Sequence, residues 1–287
     1  MNDIKELFKM GGTISKKTDT IVFIIGAIIM LLFWYIITST GDIIPKSILP
    51  NPIDVLSNYK YLYQEKNLLG ETWFSIKLNL VGYLYAILIS IPLGFILGLF
   101  PITRSLFSRI FDALRFVPLP ACQGIFIAIF GLTFSMKSDF LAFGILIYIL
   151  PVVVQRVISL QDPKNDKEFV FLQTAKTLGA TKLQTFRFVY YPYVMRKIID
   201  DIRVLTAISW TYLTIVEIIY KDGAGENGIG SLISVLNRQS QTVSVYAIIF
   251  EIVAIGILQD MIWRFISWLF FPDKHNRRTF NLNFLYK

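Results

Sequence analysis

Residues 20–41 read TIVFIIGAIIMLLFWYIITSTG, an unbroken stretch without a charged side chain between Asp19 and Asp42. Coiled as a helix it extends ~30 Å, the thickness of a bilayer's hydrocarbon core. A helix that is apolar on every side cannot rest on the surface of a soluble core. The rest of the chain repeats the pattern. Of its 287 residues, 54% are apolar and only 17% charged, and the mean hydropathy is +0.58. The charges gather in bands between long uncharged runs, which predicts an all-α membrane protein.

Five further apolar runs follow, uncharged at 78–103, 116–136 and 140–155, interrupted by Arg203 and Glu217 at 202–220, and holding Glu251 and Asp260 at 243–266. Pro92, Gly94 and Gly98 fall inside the second, where neighbouring helices can cover the freed backbone. Runs three and four are separated by a very short link holding Lys137 and Asp139, so a hairpin is expected. Six spans put both termini on one side. Lys5, Lys9, Lys16 and Lys17 precede the first run and resemble a signal-peptide n-region. That run is long, however, and lacks a small-x-small cleavage site, so it reads as a retained signal-anchor helix.

Lys and Arg decide the orientation. With the N-terminus inside, the N-terminal arm, 104–115, 156–197 and the tail from Arg264 carry twenty of the 28 basic residues. The opposite loops carry seven and Arg203 lies within a span. The excess marks the cytoplasmic side and predicts cytoplasmic N and C termini in a bacterial inner membrane. The same asymmetry accounts for the net charge of +8 without nucleic acid, for which no solvated basic face with readout groups exists. Cys122 is the single cysteine, so the chain has no disulfide framework and no cysteine-based metal site. No cofactor or metal is expected.

Before the second run, Leu49-Pro50-Asn51-Pro52 leads into Ile53, Val55, Leu56, Tyr59, Leu62 and Tyr63, an apolar face at helical spacing. Asn51 can cap this helix, Pro52 suits its first turn and Asp54 favours its positive end. An amphipathic helix lying at the outer interface is expected.

The inner loop at 161–197 is far longer than a reversal of direction needs. Residues 166–178 read as a short helix with Phe169, Val170, Leu172, Ala175 and Leu178 apolar, and Gly179 supplies a break. Thr181 and Gln184 fit a capping box opening a second helix, with Leu183, Phe186, Val189 and Tyr190 on one face as far as Pro192. Such a helix-Gly-helix elbow outside the membrane can act as a lever for a partner that grips it.

The residues Gln173-Thr174-Ala175-x3-Gly179-Ala180, followed by Val189-x-Tyr191-Pro192, resemble the EAA loop of ABC importer permeases, Glu-Ala-Ala-x3-Gly-x9-Ile-x-Leu-Pro. The likeness runs from about Leu49 to Phe271. Leu49-Pro50-Asn51-Pro52 is similar to the Leu-Pro-Ser-Pro entry of the nitrate, sulfonate and taurine branch. Arg115-Phe116-Val117-Pro118-Leu119-Pro120-Ala121 and Phe130-Gly131 are similar to its Arg-Pro-Ile-Pro-x-x-Ala and Phe-Gly. Ile202-Arg203, Trp210, Val216-Glu217 and Gly228-Ile229-Gly230 match its Leu-Arg, Trp, Ala-Glu and Gly-Leu-Gly. Gln173, Thr174 and Tyr191 depart from the loop pattern. Asp201 stands for a Gly, Gly124 for a Pro, and 221–227 is an acidic, glycine-rich insertion, so the chain reads as a divergent member.

The resemblance implies the type I importer permease fold with six transmembrane helices. It divides the chain into 1–75, with the arm, first helix and periplasmic amphipathic segment, 76–271, the transmembrane type-1 domain with its EAA loop at 161–197, and a cytoplasmic tail at 272–287. It implies ATPase coupling through Gln173, Thr174, Ala175, Gly179, Ala180, Thr181 and Pro192. The partners implied are two ABC ATPase subunits, a second permease copy as homodimer or paralogue, an extracytoplasmic solute-binding protein and the lipid bilayer. The solute implied is a small oxyanion such as nitrate, a sulfonate or taurine, or a small heteroaromatic, moved by alternating access. The chain has no Walker A sequence and is no enzyme on this reading, so ATP hydrolysis belongs to a separate partner.

Three residues inside the spans are translocation-path candidates. Glu217 reads as a path residue or as a structural carboxylate paired with a neighbouring helix, and Glu251, nearer mid-span, as a path or subunit-interface residue. Trp210 lies inside its span, while Trp34, Trp263 and Trp268 fit the aromatic belt. Arg203 and Asp260 lie near inner span ends, where an anchoring role is expected. An ion-coupled secondary transporter could use Glu217 and Glu251 but would not account for the elbow. A membrane-embedded enzyme would need clustered catalytic groups, whereas His275 is alone in the tail and the carboxylates are scattered. The glycines at 223–228 follow no strand and precede no Lys-Ser/Thr, so they are no phosphate loop.

Overall fold

The computed structural model describes residues 7–12, 14–39, 44–164, 166–218 and 227–271. Lys5, residues 40–41, the insertion at 221–226 and the tail at 272–287, with His275, Arg277 and Arg278, lie outside the described residues. The fold is all-helical, and we label its α-helices α1–α12 in chain order: α1 (Lys16–Ser39), α2 (Pro52–Ser57), α3 (Tyr59–Glu65), α4 (Leu68–Leu99), α5 (Pro101–Leu114) and α6 (Leu119–Phe130). There follow α7 (Phe134–Gln161), α8 (Asp166–Thr177), α9 (Lys182–Thr185), a π turn (Phe186–Tyr190), α10 (Tyr191–Glu217), α11 (Ile229–Arg238) and α12 (Thr242–Phe270).

By length and composition α1, α4, α7 and α12 can each cross a membrane, and the pair α5 and α6, bent by 105°, makes a fifth crossing if counted as one. The sixth expected span falls within α10, whose 27 residues are long enough but carry charge. Of those charges, Lys197, Asp201, Arg203 and Glu217 meet partners on other helices.

The core is built by α4, α7 and α10. Along α4, Gly82, Gly94 and Gly98 face Leu141, Val153 and Val157 of α7 so closely that a Cβ at any of them would collide. Lipid offers no hydrophobic drive for helices to associate, so close approach and dispersion contact supply the attraction. Polar residues add cross-links at mid-depth. Asn79 of α4 donates to Ser209 of α10 at 3.0 Å, and Gln259 of α12 donates to Asn79 at 3.3 Å and accepts the Trp210 indole N–H at 2.6 Å.

A second, smaller cluster joins the segment before α4 to α11 and α12 through Val55, Leu62, Leu68, Ile229, Leu236 and Ile248. Asn51 caps α2 by accepting from the Ile53 amide at 2.9 Å, as its sequence predicts. The expected single helix is two, α2 and α3, meeting at Asn58, whose amide donates to Ser244 at 2.7 Å. Val55 and Leu62 pack against α12, while Ile53 and Leu56 stay exposed. In contrast α1 stands apart, with none of its apolar window buried by the rest of the chain. It is tied at its far end, where the Trp34 indole donates to the Pro50 carbonyl at 3.1 Å.

The structure corrects three expectations. The second span starts at Leu68 rather than Leu78, because Glu71 and Lys77 lie within a continuous helix. The link between the third and fourth runs is at Gly131–Thr133, not at Lys137. Gly131 adopts φ +67° and Thr133 caps α7 through the Met136 amide at 3.1 Å. Lys137 therefore falls inside α7, 5% exposed, with its ammonium donating to the Asn227 carbonyl at 3.3 Å and lying over the Phe74 ring. Finally, the second elbow helix does not end at Pro192. A π turn widens the backbone so that the Tyr191 amide reaches the Phe186 carbonyl, and Pro192, which has no N–H to donate, sits in the first turn of α10.

Candidate functional site

The elbow is assembled from α8, the turn at 178–181, α9 and the π turn. α8 ends in a Schellman motif: Gly179 has φ +71°, its amide donates to the Lys176 carbonyl at 3.0 Å, and the Ala180 amide reaches the Ala175 carbonyl at 3.0 Å. Thr181 and Gln184 close the expected capping box, with the Gln184 amide donating to the Thr181 hydroxyl at 3.3 Å and the Thr181 amide to the Gln184 side chain at 2.8 Å. Each helix end is thus satisfied within the elbow itself. The rigid connection through the π turn makes α9 and α10 one lever.

The outer surface of this lever is apolar and bare. Leu178 is 79% exposed and Leu183 75%, and Phe171 and Phe188 are exposed beside them. Between α8 and the start of α10 lies a groove of about 720 Å³, lined by Phe171, Thr174, Ala175, Ala180, Phe188 and Pro192. The structure therefore brings Thr174, Ala175, Ala180 and Pro192 to one surface, with Gly179 and Thr181 forming the turn at its edge. Gln173 is exposed beside it.

The inner side of the elbow is tied to the bundle. Leu172 is buried, and Phe186 meets Phe95 of α4 edge-on with ring centres 5.2 Å apart. Glu168 pairs with Lys197 at 3.2 Å and accepts the Tyr193 hydroxyl. Arg156 of α7 grips Asp201 of α10 with two nitrogens at 2.8 Å each, so the aspartate that replaces the expected glycine has a partner. Burial raises the Tyr190 hydroxyl above its ordinary value, opposed by its hydrogen bond with Gln161 and the Arg104 charge, and it stays neutral at physiological pH. These contacts tie the elbow to α4, α7 and α10.

The three path candidates fall at two depths. Glu217 is fully buried and accepts from Ser75 at 2.6 Å and from the Gly230 amide at 2.8 Å. Glu251 is partly exposed and accepts from Thr72 at 2.7 Å, while its other oxygen is buried with no hydrogen-bond partner among the described residues. Thr72 and Ser75 are one helical turn apart on α4, so both carboxylates are held by the same stretch. Trp210 lies deeper, in the network with Gln259.

Sequence reasoning missed Asn79, Ser209 and Gln259 of that network, and Glu71, which accepts the Asn227 and Gly228 amides. Polar residues inside apolar runs are a usable signal for the first three. Among the described residues no group of three or more His, Cys, Asp or Glu could hold a metal ion.

Several apolar helices around a polar-linked core fit a multi-pass membrane protein. The chain belongs to the family described as the binding-protein-dependent transport system inner membrane component, whose model matches residues 90–267. A probable ABC transporter permease protein of Brucella melitensis is 27% identical over 78% of this chain and 84% of its own length. The taurine transport permease TauC of Escherichia coli is 25% identical over 82% of each chain. The bicarbonate transport permease CmpB of Synechococcus elongatus is 23% identical over 88% of this chain and 90% of its own. The fold matches a chain in an inward-facing structure of the MetNI methionine ABC transporter, with a TM-score of 0.52, 16% identity and coverage of 68% of this chain and 92% of that one. The chain is an ABC transporter permease component of the importer type.

Proposed function

We propose that this chain forms the translocation path of an ATP-driven importer and that its elbow is where an ABC ATPase subunit docks. The observation that carries the reading is the bare apolar groove at Thr174, Ala175, Ala180 and Pro192, built on a lever continuous with α10. Two copies of the permease, or this chain with a paralogue, would enclose the path, with six crossings each and both termini in the cytoplasm. Two ATPase subunits would grip the elbows, and closing them on ATP would tilt α10 against α4 and α7 and turn the path outward. A solute-binding protein would deliver cargo on the other side.

A small solute that carries an oxyanion group is the cargo class supported by the relatives, whose names give taurine and bicarbonate as their solutes. Of the three path candidates, Glu251 suits the path best, because it is partly exposed and one oxygen is unengaged by the described residues. Glu217 is better matched to a structural pin. The residues at 76–271 would form the transporting domain.

The test is affinity purification of the tagged chain from its native membrane, followed by uptake assays in liposomes. Recovery of an ATP-hydrolysing subunit and ATP-dependent uptake of a labelled small solute with an oxyanion group are expected. Uptake driven by an ion gradient with no ATPase bound would replace this reading with secondary transport.

A further inference from the structure

The crossing made by α5 and α6 is broken at Arg115, Phe116, Val117 and Pro118, where the axis turns by 105°. Packing against α7 fixes the depth of this break. Phe111, before it, packs with Leu150 and Val154, and Leu119, after it, lies beside Gly144. Both levels fall near the centre of 140–155, the uncharged stretch of α7, so the break sits at mid-bilayer. It is also charged. Arg115 donates to Asp112, and among the described residues each has this one ion pair. The Asp112 side chain is more than half exposed, Arg115 is partly exposed and Phe116 is 89% exposed. Asp112 also borders a cavity of about 150 Å³ with Arg104 and Ser108, and the Ser108 hydroxyl oxygen is buried with no hydrogen-bond partner among the described residues. Polar groups thus continue from the break toward the inner end of α4, where Arg104 donates to the Gly98 carbonyl.

Lipid is a poor neighbour for such a break, because hydrocarbon offers no partner to non-helical backbone or to a half-exposed carboxylate. A second copy of the chain would have to strip water from both charges and return well-placed donors to Asp112, a desolvation cost that one guanidinium does not offset. Water satisfies the backbone, both charges and the Ser108 hydroxyl together. We infer that the break faces the water-filled translocation path and that Arg115 is the group that meets the oxyanion of the solute at mid-depth. Asp112 holds one guanidinium nitrogen, and the remaining N–H groups of Arg115 offer the planar fork that suits a carboxylate, sulfonate or carbonate. The oxyanion role of Arg115 rests on the importer function proposed above, whereas the water-facing break follows from depth and charge alone.

The test is thiol labelling of the full-length chain in native membrane vesicles, freeze-thawed so that reagent meets both faces. Phe116→Cys, at a side chain that touches little of the chain, is placed in a Cys122→Ala background. Met30→Cys is the comparison, 75% exposed near the middle of α1, the helix that stands apart. Two methanethiosulfonate probes of similar size are used, one ending in a sulfonate and one in a trimethylammonium. Phe116→Cys should react at least about tenfold faster than Met30→Cys, because a thiol in apolar surroundings ionises least. Adding Arg115→Gln should lower the ratio of sulfonate to ammonium rates at least about threefold, the effect of one charge a few ångströms away in water. A Phe116→Cys rate no faster than that of Met30→Cys would overturn the assignment. Labelling of detergent-dispersed monomers but not of vesicles would overturn it too and give the break to a second copy of the chain. An unchanged ratio would remove Arg115 as the anion contact. These rates need neither ATP nor cargo, so a failure of ATP-driven uptake would sink the importer function and leave the water-facing break standing.

Discussion

The Glu217 carboxylate accepts the Gly230 backbone amide at 2.8 Å, and this bond joins the end of α10 to the first turn of α11. Ser75 completes the junction by donating to Glu217 at 2.6 Å while accepting the Ile229 amide at 2.8 Å. A helix N-terminus presents unpaired amides and partial positive charge, so a buried carboxylate there is stabilised on both counts. The glycines are the space for it, because a Cβ on Gly228 or Gly230 would overlap the Glu217 side chain.

Glu217→Ala should therefore destabilise the chain by about 2–3 kcal/mol, since it removes the shared acceptor and leaves the buried Ser75 and Gly230 donors unpaired. Hydrogen exchange reads this locally: the Gly230 amide should exchange at least about tenfold faster than in the parent. Unchanged protection would show that α11 is held by its other contacts.

Gly228→Ala should cost a similar amount, about 2–3 kcal/mol, because Gly228 combines φ +98° with the overlap on Glu217. Gly124→Ala, where a Cβ meets nothing within 4 Å, is the control and should leave the melting temperature at or slightly above the parent's. Equal effects of the two substitutions would contradict the junction's geometry.

Arg156 and Asp201 are partly exposed, with side chains 39% and 22% accessible, so their paired contacts should be worth only about 1 kcal/mol. A double-mutant cycle with Arg156→Ala and Asp201→Gly, read by chemical denaturation in detergent, should return a coupling of that size. A coupling near zero would mean that the pair does not link α7 to the lever.

Glu251→Gln keeps an acceptor for Thr72, and stability should change by less than about 1 kcal/mol. If Glu251 faces the path, uptake should fall several-fold while ATP hydrolysis by the partner continues. Unaltered uptake would remove Glu251 from the path.

Much of the fold was legible because uncharged length is a direct signal of membrane crossing, as in α1, α4 and α7. The elbow was legible too, since Gly179, Thr181 and Gln184 announce a helix end and a helix start through local chemistry alone. Other features depend on partners distant in sequence. Lys137 looked like a loop residue because its carbonyl acceptor at Asn227 and the Phe74 ring come from elsewhere in the chain. Pro192 looked like a stop because nothing in the local pattern announces the π turn that accommodates it. Glu217 and Gly230 appeared as separate matches, and only the fold places them in one hydrogen bond. Arg203 and Asp260 read as separate anchors for the same reason, although they form an ion pair across α10 and α12.

The most direct test of the account is a titration of the purified ATPase partner onto the chain in nanodiscs, comparing the parent with Leu183→Asp and Phe171→Asp. Both side chains are largely exposed, so the variants should fold with unchanged melting temperatures. If the elbow is the docking surface, a charge placed in its apolar face should weaken ATPase binding at least about tenfold. Parent-like affinity in both variants would show that force enters the bundle somewhere else.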